Sequence, residues 1–203
     1  MIARDSVAAR GVKTTRGTRM TDSEERRAAA RARWRYVGQE RPPFAQAAGA
    51  GQESVWDYPR PPRVIPDTRE VVVRCGYVVI ARTRRAVRVL ETASPPTFYL
   101  PWADADRRSF HLAAGTSSCE WKGRAQYWTV VAGAQRLPSV AWSYAAPLPG
   151  FDALAACVSF YPARVECTVD GQRVRPQPGG FYGGWITPEV VGPFKGEPGT
   201  QDW

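Results

Sequence analysis

Residues 70–82, Glu-Val-Val-Val-Arg-Cys-Gly-Tyr-Val-Val-Ile-Ala-Arg, contain two short apolar runs on either side of a Cys-Gly step. Short runs rich in Val and Ile that are separated by turn residues are typical of a β-hairpin. The same pattern predicts further short strands at 86–91, 97–100, 109–113, 126–131, 140–144, 158–161, 165–169 and 172–175. Because the strands recur at intervals of about 8–12 residues, we predict a mainly β domain.

Two other local patterns complete this prediction for the body of the chain. Asp170-Gly171 is the strongest turn signal, because both central positions of a type I′ turn need a positive φ. Residues 151–157 form the only helical pattern in the body, and they predict one short helix there. Residues 104–108 are expected to form a loop or a single helical turn.

The chain divides into three parts by composition. Residues 1–52 are predicted to be a basic extension, with 1–21 disordered, an Arg-rich helix over 24–36 and a Pro/Gly linker. Residues 53–175 form the predicted β-rich core domain. Residues 176–203 are rich in Pro, Gly and aromatic residues, and we expect a tail without regular structure that packs on the core. The aromatic residues expected to anchor this tail are Phe181, Tyr182, Trp185, Phe194 and Trp203.

Composition excludes several classes of protein. The 203 residues are 43% hydrophobic, which is enough for a globular core, but no apolar run is long enough to span a membrane. No secretory signal is visible, so a cytoplasmic location is expected. The net charge of +9 is concentrated in residues 1–50, with 11 Lys+Arg against 5 Asp+Glu. Since the body is only mildly basic, specific binding of nucleic acid is not predicted.

The sequence predicts no metal site and no cofactor. Cys75, Cys119, Cys157 and Cys167 are far apart, and the single histidine, His111, has no partner histidine. Zinc sites need closely spaced Cys or His ligands, which this chain lacks. We therefore expect Cys75, Cys157 and Cys167 to be buried, reduced thiols. A Gly-rich phosphate-binding loop is also absent from the sequence.

Several longer segments together resemble a known family. They are Leu90-Glu-Thr-Ala-Ser-Pro-Pro-Thr-Phe-Tyr-Leu, Cys119-Glu-Trp-Lys-Gly-Arg-Ala, Tyr127-Trp128, Ala141-Trp-Ser-Tyr and Phe160-Tyr-Pro-Ala-Arg-Val. Over residues 69–170 the chain resembles domain of unknown function family 427, and it is similar to a subgroup with a Pro/Gly/aromatic C-terminal tail. The resemblance implies a small domain of two antiparallel sheets in a β-tent-like arrangement.

The family also carries a nucleotidyltransferase-like label, which the residues of this chain do not favour. Such enzymes need a Gly-Ser loop and carboxylates that alternate on a strand to hold magnesium. Here Asp104-Ala-Asp106 is the only Asp-x-Asp, and it precedes Arg107-Arg108 without a Gly-Ser step. We predict that it is a solvated turn. Ser94 stands where many relatives have His before Pro-Pro, which argues against a mechanism that relies on that histidine.

A few polar residues lie among apolar and aromatic strand residues and are the candidates for chemistry. Glu91 ends an apolar strand, and Cys119 and Lys122 lie on one turn, three residues apart. Residues expected to line a cavity beside them are Tyr99, Tyr127, Trp142, Tyr144 and Tyr161. One interpretation is a binding pocket with a Glu91–Lys122 polar pair. The other is a buried ion pair that stabilises the fold, with the aromatic residues as ordinary core.

Three functions remain open from the sequence alone. The first is binding of a small molecule in the aromatic pocket. The second is an enzyme that uses Cys119 or Lys122 with Glu91 in hydrolysis or group transfer, although a nucleophilic thiol needs a base and His111 is eight residues away. The third is a protein-interaction module that uses helix 24–36 and the tail. The first is the hypothesis that the sequence favours.

Overall fold

The computed structural model describes residues 20–203 of the chain. Within them, the α-helix α1 spans Asp22–Arg31. The strands are β1 (Glu53–Ser54), β2 (Arg63–Asp67), β3 (Val71–Cys75), β4 (Val78–Thr83), β5 (Ala86–Glu91), β6 (Ser94–Pro101), β7 (Phe110–Cys119), β8 (Gly123–Ala132), β9 (Gln135–Ser143), β10 (Cys157–Phe160), β11 (Glu166–Val169), β12 (Gln172–Arg173), β13 (Arg175–Pro176), β14 (Trp185–Ile186) and β15 (Val190–Val191). No helix in this part of the chain combines the length and apolar character needed to cross a membrane.

Two antiparallel sheets form the body. The larger has seven strands in the order β2-β5-β6-β10-β9-β8-β7, and the smaller has four in the order β12-β11-β3-β4. Two small ladders hold the C-terminal segment: β1 pairs with β15 in parallel, and β13 pairs with β14 antiparallel. The prediction of a mainly β fold with two antiparallel sheets is confirmed.

The predicted hairpins lie in the smaller sheet. Strands β3 and β4 pair across Gly76, which has a φ of 59°, and Val73/Arg74 marks a bulge in the ladder. Strands β11 and β12 are joined by Asp170 and Gly171, whose φ values are 46° and 76°. Both turn positions are therefore left-handed, as a type I′ turn requires.

The seven-stranded sheet is buried on both faces in its central part. Successive side chains of a strand point to opposite faces, and on β6 this separates Phe98 and Leu100 from Tyr99. Phe98 and Leu100 belong to the main core together with residues of the smaller sheet such as Val73. Tyr99 belongs to a second cluster with Trp142. The second face is therefore the one that remains available for a site.

The N-terminal helix is shifted from the predicted range of 24–36. It begins at Asp22, where the Thr21 side chain and Glu24 form a capping box, and it ends at Arg31. The residues after Arg31 leave the helical path because Trp34 packs against the second cluster of the body. The prediction of disorder over residues 1–21 lies outside the described residues, except for its last two positions.

The short body helix predicted at 151–157 is wrong. Only Asp152–Leu154 form a single 3₁₀ turn, and Cys157 is already the first residue of β10. Cys157 pairs with Pro101 of β6, and this strand pairing prevents a helix from extending to residue 157. A local helical pattern is overridden here by strand pairing.

Strand β6 begins earlier than the predicted start at Thr97. Its first residues include Pro95 and Pro96, which normally argue against a strand because proline has no N–H for the ladder. The register shifts between Val89 and Glu91 of the neighbouring strand, and neither proline has a partner there. The two prolines thus occupy an irregularity of the ladder in which no donor is required.

The C-terminal segment is held by one deeply buried ring. Trp185 has no exposed surface, stacks on Phe98 with 5.0 Å between ring centroids, and donates its indole N–H to the carbonyl of Phe160 at 3.0 Å. By contrast, 73% of Phe181 is exposed, so the prediction that this ring anchors the tail is wrong. Most of this segment has no regular structure outside β14 and β15.

We expect Trp185→Ala to lower the free energy of unfolding by about 3–5 kcal/mol, because it removes a fully buried ring from the core. The matched control is Phe181→Ala in the same segment, which should change the free energy of unfolding by less than about 0.5 kcal/mol. Urea denaturation followed by circular dichroism measures both. Similar small effects of the two substitutions would show that the tail is not part of the cooperative fold.

Candidate functional site

A cavity of about 260 Å³ lies on the face of the seven-stranded sheet that bears Tyr99 and Trp142. The sequence-predicted residues that line it are Glu91, Tyr99, Lys122, Tyr127, Trp142, Tyr144 and Tyr161. Cys119, the candidate nucleophile, lines it as well. The structure therefore brings together the complete set of candidate residues in one place.

Strand pairing places the aromatic walls. Tyr127 of β8 is the direct partner of Trp142 of β9, so both side chains emerge on the same face. The indole N–H of Trp142 donates to the Tyr99 hydroxyl at 3.3 Å, and the Tyr127 hydroxyl donates to Ser117 Oγ at 2.7 Å. Tyr161 follows β10 and packs against Trp142 with 4.5 Å between ring centroids. Each of these rings is thus oriented by a hydrogen bond or a ring contact with a neighbouring side chain.

Glu91 lies between two cations. Its Oε2 is 3.8 Å from Lys122 Nζ, and its Oε1 is 3.3 Å from Arg60 Nε. The Arg60 side chain is only 1% exposed, and it also donates to the carbonyls of Tyr36 at 2.6 Å and Thr92 at 2.9 Å. The nearer partner of Glu91 is thus an arginine that the sequence analysis did not select.

The ammonium of Lys122 is kept charged. Burial, the largest single effect, disfavours the charged form, but nearby acidic groups, among them the Glu91 carboxylate, together outweigh it and raise the pKa of Lys122 well above its ordinary value. A protonated amine has no lone pair, so Lys122 is a hydrogen-bond donor at neutral pH and not a nucleophile.

Tyr99 and Tyr144 of the cavity are neutral at physiological pH. Burial raises the pKa of Tyr99 to about 12 and that of Tyr144 well above its ordinary value. Each phenol therefore keeps its O–H and can both donate and accept a hydrogen bond.

Segments from both ends of the chain form a roof over the cavity, consisting of Trp34, Phe181, Tyr182, Gly183 and Lys195. Only 2% of Lys195 is exposed. Its Nζ lies 3.3 Å from the centroid of the Trp34 ring and 5.2 Å from that of Tyr182, and it donates to the carbonyl of Trp203 at 3.3 Å. A lysine that the sequence analysis did not select thus forms part of the cavity lining.

Contacts to the β7–β8 turn hold the roof in place. Trp34 donates its indole N–H to Glu120 Oε1 at 2.8 Å, and the Arg31 guanidinium donates to the carbonyl of Glu120 at 2.7 Å. On the other side, a Cβ at Gly183 would lie 2.1 Å from the ring of Trp142. Only glycine lets the tail cross directly over that ring.

The other sequence candidates lie away from the cavity. Asp104 accepts from the Thr83 hydroxyl and the Arg85 guanidinium, both at 2.6 Å, and Asp106 accepts from Arg108 at 2.9 Å. These carboxylates are locally paired, as expected for a solvated turn. Across residues 20–203 no group of three or more His, Cys, Asp or Glu side chains is arranged to hold a metal ion. The structure places Cys75, Cys157 and Cys167 in buried positions as free thiols.

Residues 63–171, more than half of the 203-residue chain, match the family described as domain of unknown function (DUF427). The chain belongs to the DUF427 family. No curated protein matches the sequence. The walls and floor of the cavity fall inside the matched range, whereas Trp34, Tyr182 and Lys195 fall outside it. The roof is therefore added to the DUF427 domain by the flanking segments.

One sequence signal could have found Lys195. The chain has 28 basic residues, of which only Lys13, Lys122 and Lys195 are lysines. Both lysines of the described residues line the same cavity. Because the other basic residues are arginines, the rarity of lysine singles out Lys122 and Lys195 as positions that carry a compact ammonium in place of a guanidinium. Trp34 and Arg60 carry no comparable signal, since the chain is rich in Trp and Arg.

The environment of Lys195 makes its charge costly. Its pKa is lowered from the ordinary 10.5 to about 8, with burial as the largest cause and repulsion from Arg60 as a further one. Attraction to Glu91, Glu120 and Asp202 offsets part of this decrease. The unfolded chain therefore retains the proton on this lysine to a higher pH than the folded chain does.

We expect the stability of the wild type relative to Lys195→Met to increase as the pH rises from about 8 to about 10.5, because only the wild type folds with loss of this proton. The difference in the free energy of unfolding should grow by about 2–3 kcal/mol across that range. Urea denaturation at several pH values measures it. Parallel pH profiles of the two proteins would contradict a lowered pKa of Lys195.

Proposed function

We propose that this DUF427 protein binds a small molecule in the cavity, between the Lys122 ammonium and the aromatic walls. The observation that carries the proposal is the convergence of all seven sequence-predicted residues on one cavity of about 260 Å³. Ligand sites are concave, largely apolar or aromatic, and contain a few convergent polar groups. This cavity has that composition.

The geometry of the Glu91–Lys122 pair favours a binding role over a purely structural one. At 3.8 Å the two groups attract each other but are too far apart for a hydrogen bond. Among the hydrogen bonds of residues 20–203, none involves Lys122 Nζ, although an ammonium has three donors. A ligand acceptor in the cavity would satisfy these donors, which supports the proposal.

The test is native mass spectrometry of the protein purified from its own cells. We expect the wild type to retain a small molecule and the variant with Glu91→Gln and Lys122→Met to arrive as bare protein. The matched control replaces an exposed pair, Glu70→Gln with Arg82→Met, whose groups lie 3.5 Å apart on the smaller sheet. This control should retain the molecule as the wild type does.

A second variant keeps the test decisive if the double substitution destabilises the fold. Gly183→Ala changes no polar group, but its Cβ cannot coexist with the present position of the Trp142 ring. We expect it to displace the roof and to release the molecule without loss of the main core. Bare wild-type protein, with a double variant that is much less stable, would instead assign Glu91 and Lys122 to structure alone.

A second candidate function is supported by the position of Cys119. Its side chain lines the cavity together with Lys122 and Glu91. Lys122 keeps its proton and therefore has no lone pair for attack. Of the two nucleophiles considered for an enzyme, the thiol is therefore the one that the geometry supports.

Iodoacetamide labelling at neutral pH tests this second candidate. If Cys119 is a nucleophile, it should be alkylated faster than Cys75, Cys157 and Cys167, and Lys122→Met should slow its alkylation. Peptide mass mapping locates the label. Labelling of Cys119 at the rate of an ordinary exposed thiol, unchanged by Lys122→Met, would leave binding as the only supported function.

A further inference from the structure

The charges around the cavity do not cancel. Two carboxylates, Glu91 and Glu120, line it, and so do two ammonium groups, Lys122 and Lys195. Arg60 lies behind Glu91, at 3.3 Å from its carboxylate, and adds a third positive charge. These five groups together carry a net charge of +1, and the Asp202 carboxylate that also attracts Lys195 is exposed and therefore more strongly screened.

Each carboxylate has a partner. The charge of Glu91 is balanced by the buried Arg60 at 3.3 Å, and Glu120 accepts the indole N–H of Trp34 at 2.8 Å. Lys195 Nζ donates to the main-chain oxygen of Trp203 at the long distance of 3.3 Å, and Lys122 Nζ is 3.8 Å from its nearest carboxylate oxygen. Both ammonium groups therefore have hydrogen-bond donors left for a ligand.

Both ammonium groups line the same cavity. Lys122 Nζ lies 3.8 Å from Glu91 Oε2, and Lys195 Nζ lies over the Trp34 ring, 3.3 Å from its centroid. An anionic group of a ligand in the cavity would therefore have two cations in its lining to interact with.

The remaining walls suit a flat ring. Aromatic side chains surround the cavity, among them Tyr99, Tyr127, Trp142, Tyr144 and Tyr182. Such rings pack favourably against another ring in stacked or edge-to-face geometry. A cavity of about 150 Å³ holds one benzene molecule, so about 260 Å³ accommodates one ring with a short polar arm.

We propose that the cavity binds a small aromatic carboxylate, with its ring among the tyrosines and its anionic arm at Lys122 and Lys195. This inference rests on the proposed function and adds the chemical class of the ligand. It also gives a role to the rare lysines, because a compact ammonium leaves more room for a ligand than a guanidinium does.

Three probes of one shape test the charge requirement. Isothermal titration calorimetry of the full chain at pH 7 compares phenylacetate, phenylacetamide and phenethylamine, which are anionic, neutral and cationic. We expect phenylacetate to bind at least tenfold more tightly than phenylacetamide, and phenethylamine to bind most weakly. Cyclohexylacetate, an acid without an aromatic ring, should bind at least fivefold more weakly than phenylacetate.

Substitutions of the lysines locate the effect. Lys122→Met and Lys195→Met should each weaken the binding of phenylacetate at least fivefold. The affinity for phenylacetamide should change by no more than about twofold, which would show that the cavity is still formed. Lys122→Arg keeps the charge and should restore part of the affinity. The matched control Arg82→Met removes an exposed cation far from the cavity and should change neither affinity.

The outcomes separate this inference from the proposed function. Equal or tighter binding of the amide or the amine would overturn the assignment of an anionic ligand. If none of the probes binds but native mass spectrometry finds a molecule that the Lys122 variant loses, the proposed function stands and the ligand class is wrong. If no probe binds and no molecule is retained, both proposals fail.

Discussion

The buried guanidinium of Arg60 is the interaction on which the arrangement of the site depends. It joins two distant parts of the chain to its own segment, because it donates to the carbonyl of Tyr36 and lies 4.5 Å from the Trp34 ring, and it also donates to the carbonyl of Thr92 and faces the carboxylate of Glu91. A buried charge of this kind is tolerated only when it is paired and hydrogen-bonded. Removal of Glu91 would leave the buried charge of Arg60 unpaired, so the roof, the end of β5 and the polar pair are energetically coupled.

That coupling explains why the site extends beyond the DUF427 domain. The matched range supplies strands and aromatic walls, but the upper half of the cavity comes from the two flanking segments. Outside the cavity the same segments meet in an aromatic cluster, where Trp203 stacks on Phe44 at 5.0 Å and packs edge-on against Trp56 at 5.1 Å. The flanks are therefore stabilised partly by each other, and they bring Trp34 and Lys195 over the sheet together.

The sequence predicted those features whose causes are local. Strands and hairpins were predictable because the apolar runs and the Asp170-Gly171 turn determine their own geometry. Glu91 and Lys122 were identifiable as polar residues in apolar or aromatic surroundings. Arg60 was not, because its role arises from contacts with residues 24 and 32 positions away. The body helix was wrong for the related reason that the pairing of Cys157 with Pro101 is a long-range contact.

The two interpretations of the Glu91–Lys122 pair, structural or ligand-binding, are not true alternatives once Arg60 is included. The closer of the two ion pairs of Glu91 is with Arg60, whose side chain is almost fully buried. Because Arg60 already balances the charge of Glu91, Lys122 lies near this carboxylate without forming a hydrogen bond to it. The structural role then belongs to the arginine, and the ammonium stays charged beside the cavity with its hydrogen-bond donors available.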